Sequence, residues 1–494
     1  MKSEYDALVK NNVWELVDRP VGKNVIKCKW VYKTKYDASG NFDRFKARLV
    51  ARGFTQREGI DYNETFAPVV RHSTMRILFC IANQLDLNID HLDVATAFLN
   101  ADLNETVYME QPIGFSDNNK NKVCLLKKSI YGLKQASRMW NCKIHSLLSE
   151  HNFTQSKCEP CVYVKSNKDD LVILALYVDD FYVFYSQNSS IKRNLLNILE
   201  SKFNVKNLGP LKSCLGINVS RDKVKGTLTL DQSEYIRKLL VRFGMENCKA
   251  AATPMEINCK LVKSENNDCL QDDVFNYRQL LGCLMYLSVC TRPDISYACS
   301  QLSQFNNCFD RSHWLAAKRI LRYLAGTIHY SLCFHKNENW SMYAYTDADW
   351  ANDITDRKSY TGYVIKLGNC TVNWESRKQR CVSLSSCESE YLAISDVCKD
   401  VSFIKSLLSE ILPKQINCIV YNDNQSAQKL LQAKEYCHKR TKHIDIRYHY
   451  VKDLISKNVI KVEYLPTDKM IADVLTKPLG RIKHNEFIKA MNVC

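Results

Sequence analysis

The sequence predicts several α+β domains arranged in series. Strand-like and helix-like segments are mixed along the whole chain, without a regular repeat or a low-complexity tract. The chain has 494 residues, of which 46% are hydrophobic and 25% charged, and this is enough for more than one core. The polar stretch "FHKNENWS" (334–341) precedes a strongly patterned segment, and we expect the main domain junction there.

Composition and charge narrow the class of protein. A net charge of +16 suits a polyanionic partner such as nucleic acid. The 22 cysteines are scattered without a zinc-binding spacing, which predicts reduced thiols in cores. No apolar run is long enough to span a bilayer, so we expect a soluble chain without a membrane partner, in the cytoplasm or the nucleus.

Two adjacent carboxylates, Asp179 and Asp180, interrupt the apolar run "LALYVDDFYVFY". Ionised carboxylates in a buried strand are costly without a cation, and two neighbours repel each other. One interpretation is a hairpin tip, where Asp is common. The other is a metal site, because Asp93 ends the strand-like "LNIDHLD" and offers a third carboxylate. Three such acids would hold two Mg²⁺ ions, with Mn²⁺ as a substitute.

A basic strand points to a phosphate-bearing substrate. The alternation in "NFDRFKARLVARGF" places apolar residues on one face and four cations on the other, Arg44, Lys46, Arg48 and Arg52. Together with the preceding "KCKWVYKTKYDASGN" it predicts a hairpin with one basic face. This face could be a solvated sheet edge. Beside three carboxylates, a triphosphate clamp is the better interpretation.

A second group of acids follows the junction. Asp347 ends the alternating strand "WSMYAYTD", and Asp423 and Asp473 lie at the ends of later elements. An S-x-x-E capping box at 385–388 predicts a helix whose apolar stripe also contains Glu390. Taken singly, each acid could be a cap or a surface charge. A glutamate on a buried stripe is unusual without a partner, which favours a shared acidic site.

Several motifs together carry a family resemblance. The chain resembles the reverse transcriptase of copia-type long-terminal-repeat retrotransposons in "FKARLVARGFTQREGIDYNETFAPVV", "LDVATAFLN", "SIYGLKQASRMW", "LYVDD", "LLGCLMYLSVCTRPDI" and "KRILRYLAGT". The resemblance covers essentially the whole chain. It implies an α+β fold: a right-hand polymerase with fingers, palm and thumb, a connection segment and an RNase H-like α/β domain. The implied boundaries are 1–225 for fingers and palm, 226–280 for a thumb-like segment, 281–337 for the connection, 338–480 for the RNase H-like domain and 481–494 for a tail.

The resemblance also assigns metal ligands. The polymerase carboxylates of the family match Asp93, Asp179 and Asp180. The ribonuclease H carboxylates match Asp347, Glu390, Asp423 and Asp473. Both sites would use Mg²⁺ or Mn²⁺.

The same resemblance and the basic segments of the chain together predict contacts to the nucleotide and the nucleic acid. Phe98 matches the aromatic residue that excludes a ribose 2′-hydroxyl, and Gln135 matches a contact to the incoming nucleotide. Lys46 and Arg48 of the basic strand would also contact this nucleotide. The turn at Leu215 and Gly216 falls where a primer grip is expected. A grip on backbone phosphates is expected from Lys439, Arg440 and Lys442. From the residues alone, Phe98 could be a core aromatic, Gln135 a helix cap and Gly216 only a turn residue.

The expected function is therefore RNA-directed DNA synthesis with ribonuclease H activity. The expected partners are an RNA template, a DNA primer, the RNA–DNA hybrid and dNTPs, with integrase and capsid of the same element. If the element is complete, a virus-like particle is the expected setting. The rival interpretation is a catalytically silent remnant that binds nucleic acid without polymerising.

Overall fold

The computed structural model of the chain describes residues 1–36, 42–117, 121–257, 259–263, 271–432 and 445–494. These residues form two compact units: Met1–Val70 with Asn88–Pro210, and Arg71–Leu87 with Leu211–Cys494. The predicted junction at 334–341 lies inside the second unit, where it separates two sheets. The domain boundaries implied by the resemblance stay predictions.

The first unit combines three sheets with a few helices. Its described helices are Lys2–Lys10, Ala136–Glu150 and Ser190–Lys202. Its described strands are Trp14–Asp18, Val25–Ile26, Cys28–Tyr36, Phe42–Ala51, Asn88–Val94, Asp102–Met109, Lys122–Lys128, Thr154–Gln155, Val162–Asn167, Asp170–Tyr177, Asp180–Tyr185 and Val205–Pro210.

The sheet that carries the first acidic group has a buried, β-branched and aromatic core. Its middle strands, Asp170–Tyr177 and Asp180–Tyr185, form a hairpin, and Asp180–Tyr185 also pairs antiparallel with Asn88–Val94. Val172, Val183 and their neighbours are fully buried, as expected for a run of apolar residues in a central strand. The hairpin tip therefore rests on a rigid base.

The predicted basic hairpin is present. Cys28–Tyr36 pairs antiparallel with Phe42–Ala51, and the predicted turn residues 37–41 lie outside the described residues. The apolar face is buried only toward its base, where Leu49 is 1% exposed, whereas Phe45 is 81% exposed. The apolar face of the hairpin is thus covered near its base and exposed in its outer half.

The second unit contains more helix. Its described helices are His72–Gln84, Ser233–Arg242, Gln271–Cys290, Ser296–Ser303, Arg311–Gly326, Ser386–Ile411, Gln425–Gln432, Asp445–Ser456 and Arg481–Ala490. Its described strands are Ser213–Cys214, Ile217–Asp222, Thr227–Asp231, Leu332–His335, Met342–Asp349, Tyr360–Leu367, Cys370–Lys378, Cys418–Asn422 and Lys461–Tyr464.

Five of the described strands of this unit form one mixed sheet. An antiparallel meander runs from Met342–Asp349 through Tyr360–Leu367 to Cys370–Lys378. Cys418–Asn422 then pairs parallel with Met342–Asp349, and Lys461–Tyr464 pairs parallel with Cys418–Asn422. Strand order is thus third, second, first, fourth and fifth, which brings the C-terminal ends of the first and fourth strands side by side.

The helix Ser386–Ile411 packs on this sheet with the predicted stripe. Ser385 is its N-cap and accepts a hydrogen bond from the Glu388 amide. The Glu388 carboxylate in turn accepts from the Leu384 amide, one residue earlier than a standard capping box. The stripe residues Ile394, Val397, Val401, Ile404 and Leu408 are all 0% exposed.

None of the described helices is both long enough and apolar enough to cross a membrane. All cysteines in the described part of the chain are free thiols.

Candidate active sites

The first acidic group is assembled across the hairpin tip. Asp93 lies directly opposite Asp180 in the antiparallel register, and the Val94 amide donates to the Asp179 carbonyl at 2.9 Å. Burial raises the pKa of Asp179, and the nearby charges of Asp180 and Asp93 raise it further while Arg48 lowers it. Three like charges close enough to perturb one another are a fitting set of donors for a divalent cation.

The tip contains one strained residue, and a hydrogen bond holds it in place. Val178 has a φ of 57°, a conformation that costs free energy for a β-branched residue. Its carbonyl accepts a hydrogen bond of 2.7 Å from the indole nitrogen of Trp140, whose ring is almost completely buried. The helix that contains Trp140 therefore fixes the turn that presents Asp179.

Two of the residues that are expected to contact the nucleotide, Arg48 and Phe98, both contact the ring of Tyr131. The Arg48 guanidinium stands 4.9 Å from the centre of the Tyr131 ring, and Phe98 meets the same ring edge-on at 5.1 Å. Burial lowers the pKa of Lys46, and the neighbouring Arg48 lowers it further. Phe98 is half-buried and packs against the core of this unit.

Gln135 stands at the N-cap position of the Ala136–Glu150 helix but makes no capping bond with its side chain. Its side chain is fully buried, donates to the Asp61 carbonyl at 2.9 Å and accepts from Gln56 at 3.0 Å. These contacts anchor the strand-to-helix turn. The predicted contact to a nucleotide stays a prediction.

Leu215 and Gly216 form a two-residue hairpin turn with φ angles of 51° and 77°. Tyr286 donates its hydroxyl to the Leu215 carbonyl at 2.6 Å, and a Cβ at Gly216 would meet the same hydroxyl. Glycine is thus required by both conformation and space. The primer-gripping role stays a prediction, and the basic segment with Lys439, Arg440 and Lys442 lies outside the described residues.

The second acidic group forms a compact set of oxygen donors. Among the described residues, Asp347, Glu390 and Asp423 have ligand atoms that all lie within 4.8 Å of one another. The carboxylates of Asp93, Asp179 and Asp180 do not meet this criterion in the described part of the chain. Three carboxylates at this spacing fit one hard divalent cation.

Burial and charge repulsion make this set costly without a cation. The pKa of Glu390 lies well above its usual range, first because the carboxyl is buried and then because Asp347 and Asp423 repel its charge. Asn422, fully buried on the fourth strand, donates to Glu390 at 2.9 Å and orients it. Burial likewise raises the pKa of Asp423, whose carboxylate accepts a hydrogen bond of 2.6 Å from Thr467.

Asp473 has different neighbours from the other three acids. It is 0% exposed, and its two oxygens lie 3.0 Å from the Lys477 ammonium and 2.7 Å from the Lys483 ammonium. Lys477 is also 3.4 Å from Asp347, which accepts a hydrogen bond from the Thr476 hydroxyl.

Several polar residues of both sites were not predicted from the sequence. They are His91 beside the first group, and Asp349, Asn422, Lys477 and Lys483 beside the second. Asp349 follows Asp347 by two residues on the same strand face, and burial raises its pKa to about 6. That spacing, and the four-residue spacing from Asp473 to Lys477, are the signals that could have identified two of them.

The chain is similar to known proteins along most of its length. The family model described as reverse transcriptase (RNA-dependent DNA polymerase) matches residues 11–257, half of the chain. A retrovirus-related Pol polyprotein from transposon TNT 1-94 of Nicotiana tabacum is 41% identical over 489 residues, which is 98% of this chain and 37% of that protein. The chain belongs to the copia-type reverse transcriptase family.

A second plant relative is also a retrovirus-related Pol polyprotein from a transposon. A retrovirus-related Pol polyprotein from transposon RE1 of Arabidopsis thaliana is 38% identical, over 100% of this chain and 33% of that protein. The chain thus spans about a third of the length of each of these two relatives. A solved foamy viral protease-reverse transcriptase in complex with double-stranded DNA aligns with 94% of the chain and 68% of that structure, at 13% identity and a TM-score of 0.48.

The family match and the observed sheets confirm the predicted fold class, a right-hand polymerase followed by a connection segment and an RNase H-like α/β domain.

Proposed function

We propose that the chain is an RNA-directed DNA polymerase that also degrades the RNA strand of an RNA–DNA hybrid. The observation that carries the proposal is that each compact unit holds its own group of clustered carboxylates. Asp93, Asp179 and Asp180 form one group, and Asp347, Glu390 and Asp423 form the other.

In the first unit, the three carboxylates would hold Mg²⁺ or Mn²⁺, which when bound activates a primer 3′-hydroxyl and stabilises the departing pyrophosphate. Lys46 and Arg48 would bind the triphosphate of a dNTP, with Arg48 already held over Tyr131. Phe98 would lie against the sugar and exclude a 2′-hydroxyl. Trp140 keeps the turn with Asp179 in place through the Val178 carbonyl.

In the second unit, Asp347, Glu390 and Asp423 would hold a divalent cation next to an RNA phosphodiester. Asn422 and Thr467 orient two of these carboxylates by hydrogen bonds, so their oxygens are aligned before a cation binds. The ribose 2′-hydroxyl and the A-like shape of the hybrid would distinguish RNA from DNA. A cytoplasmic particle shared with integrase and capsid is the proposed setting.

The test is primer extension on an RNA template with dNTPs, run beside degradation of a labelled RNA–DNA hybrid. Both activities should require Mg²⁺. Asp347→Asn should stop degradation and spare extension, while Asp179→Asn should do the reverse. Hybrid binding without either activity, in a folded wild-type chain, would instead identify a silent remnant. Loss of both activities in the folded Asp347→Asn variant would contradict two independent sites.

A further inference from the structure

The fully buried carboxylate of Asp473 already has cations as partners. Lys477 and Lys483 approach its two oxygens at 3.0 Å and 2.7 Å, and these ion pairs offset part of the cost of removing the charge from water, while burial and Asp347 keep the pKa of Asp473 above its usual value. Asp473 therefore differs from Glu390, which is buried beside two carboxylates and has an amide as its hydrogen-bond donor.

One of these lysines bridges two acids of the site. The Lys477 ammonium lies 3.0 Å from Asp473 and 3.4 Å from Asp347, so it stands between the compact set and the fourth acid. Burial opposes its charge, but Asp347 and Asp473 outweigh burial and raise the pKa of Lys477 above its usual range. An ammonium group is a compact point charge with three donors, and here its single positive charge offsets part of the charge of Asp347 and Asp473.

The backbone fixes this lysine in place. The Lys477 amide donates to the Asp473 carbonyl at 3.1 Å, and Thr476 donates its hydroxyl to Asp347. Thr476 is fully buried, whereas the Lys477 side chain retains 32% exposure. The ammonium is thus positioned by its own turn and still reachable from solvent.

We propose that the ammonium of Lys477 takes the place of a second metal ion, so that the RNase H-like site binds one divalent cation, held by Asp347, Glu390 and Asp423. This inference rests on the proposed nuclease function and changes the part assigned to Asp473, which becomes the anchor of Lys477. A second divalent cation at the same place would be repelled by the ammonium and would have to expel it.

The test counts Mn²⁺ ions bound to the full chain by the loss of the free-ion electron paramagnetic resonance signal. Asp179→Asn with Asp180→Asn is the parent, so that the polymerase carboxylates do not contribute. The parent should bind one ion, and Lys477→Gln should raise the count to two because the positive charge between Asp347 and Asp473 is removed. Lys477→Arg keeps the charge and should stay at one. The matched control Lys483→Gln should also stay at one, since Lys477 remains.

Two ions in the parent, or one ion in a folded Lys477→Gln variant, would overturn the inference. No ion in the parent, or an ion that survives Glu390→Gln, would instead contradict the proposed nuclease site. A second measurement needs no variant at position 477: acylation of Lys477 by a lysine-modifying reagent, followed by mass spectrometry with and without Mn²⁺. Unchanged or lower labelling with Mn²⁺ supports the inference, and a severalfold rise means that metal expels the lysine and overturns it.

Discussion

His91 and Asp180 form a hydrogen-bonded pair across two strands, with the imidazole Nε2 2.7 Å from the carboxylate Oδ1. They are diagonal neighbours, because Asp180 lies opposite Asp93 and Tyr182 lies opposite His91 in the register. The imidazole also stacks on the Tyr182 ring at 5.1 Å, which fixes its plane. One oxygen of Asp180 is thus hydrogen-bonded to His91.

This pair predicts a positioning role for His91. His91→Leu should weaken metal-dependent primer extension about 10- to 100-fold, the usual loss when a partner of a metal-binding side chain is removed. His91→Gln, which keeps a side-chain donor, should recover most of the activity. The readout is the Mg²⁺ concentration for half-maximal extension, which should rise in His91→Leu alone. An equal loss in both variants at unchanged Mg²⁺ dependence would contradict the role.

Replacing Asp179 by Asn should remove a negative charge from the adjacent carboxylates without disturbing the packing around them. Asp179→Asn should reduce extension about 1,000-fold or more, since losing about 4 kcal/mol of charge stabilisation corresponds to that factor. The substitution also removes a charge that burial and two neighbours oppose, so the melting temperature should stay equal or rise. Single-nucleotide incorporation beside a melting curve checks both. A folded Asp179→Asn variant with full activity would refute the assignment.

Some residues of these sites can be located from the sequence, and others cannot. Strand-like patterns located Asp93 and Asp347 near strand ends, and the helical stripe located Glu390, because each pattern lies within one element. The pairing of Asp473 with Lys477 and Lys483 depends on how a short turn packs in the fold. Helix or strand periodicity in the sequence does not determine that packing. His91 is similar: its partner Asp180 is set by the strand register, which the sequence alone did not specify.

Phe98 predicts a choice between sugars. Its ring is half-buried and meets Tyr131 edge-on at 5.1 Å, so truncation should open space on the exposed side. Phe98→Ala should raise incorporation of an rNTP relative to the matching dNTP. A purely structural phenylalanine would instead cost about 3 to 5 kcal/mol of stability with no change in sugar preference. Competition between dNTP and rNTP, run with a melting curve, separates these outcomes. Tyr131→Phe, which keeps the ring, serves as the control for the aromatic contact.

Replacing Glu390 by Gln should abolish hybrid degradation and at the same time raise the stability of the fold. Its pKa is raised in the folded chain by burial and by Asp347 and Asp423, so its ionisation weakens the fold at every pH above the ordinary glutamate range. Glu390→Gln removes that charge and keeps the shape, and should raise the melting temperature by about 2 °C or more near neutral pH. The gain should shrink as the pH falls through the raised pKa, because Glu390 then becomes protonated in the wild type as well. Hybrid degradation should be lost at all pH values. Mn²⁺ binding by the wild-type set should strengthen as the pH rises from the ordinary glutamate range through the raised pKa of Glu390, since the cation must displace the proton. Melting curves across this pH range, measured without metal, provide the check. A Glu390→Gln variant that melts below the wild type near neutral pH would show that the glutamate stabilises the fold and would remove the physical basis for its role as a metal ligand.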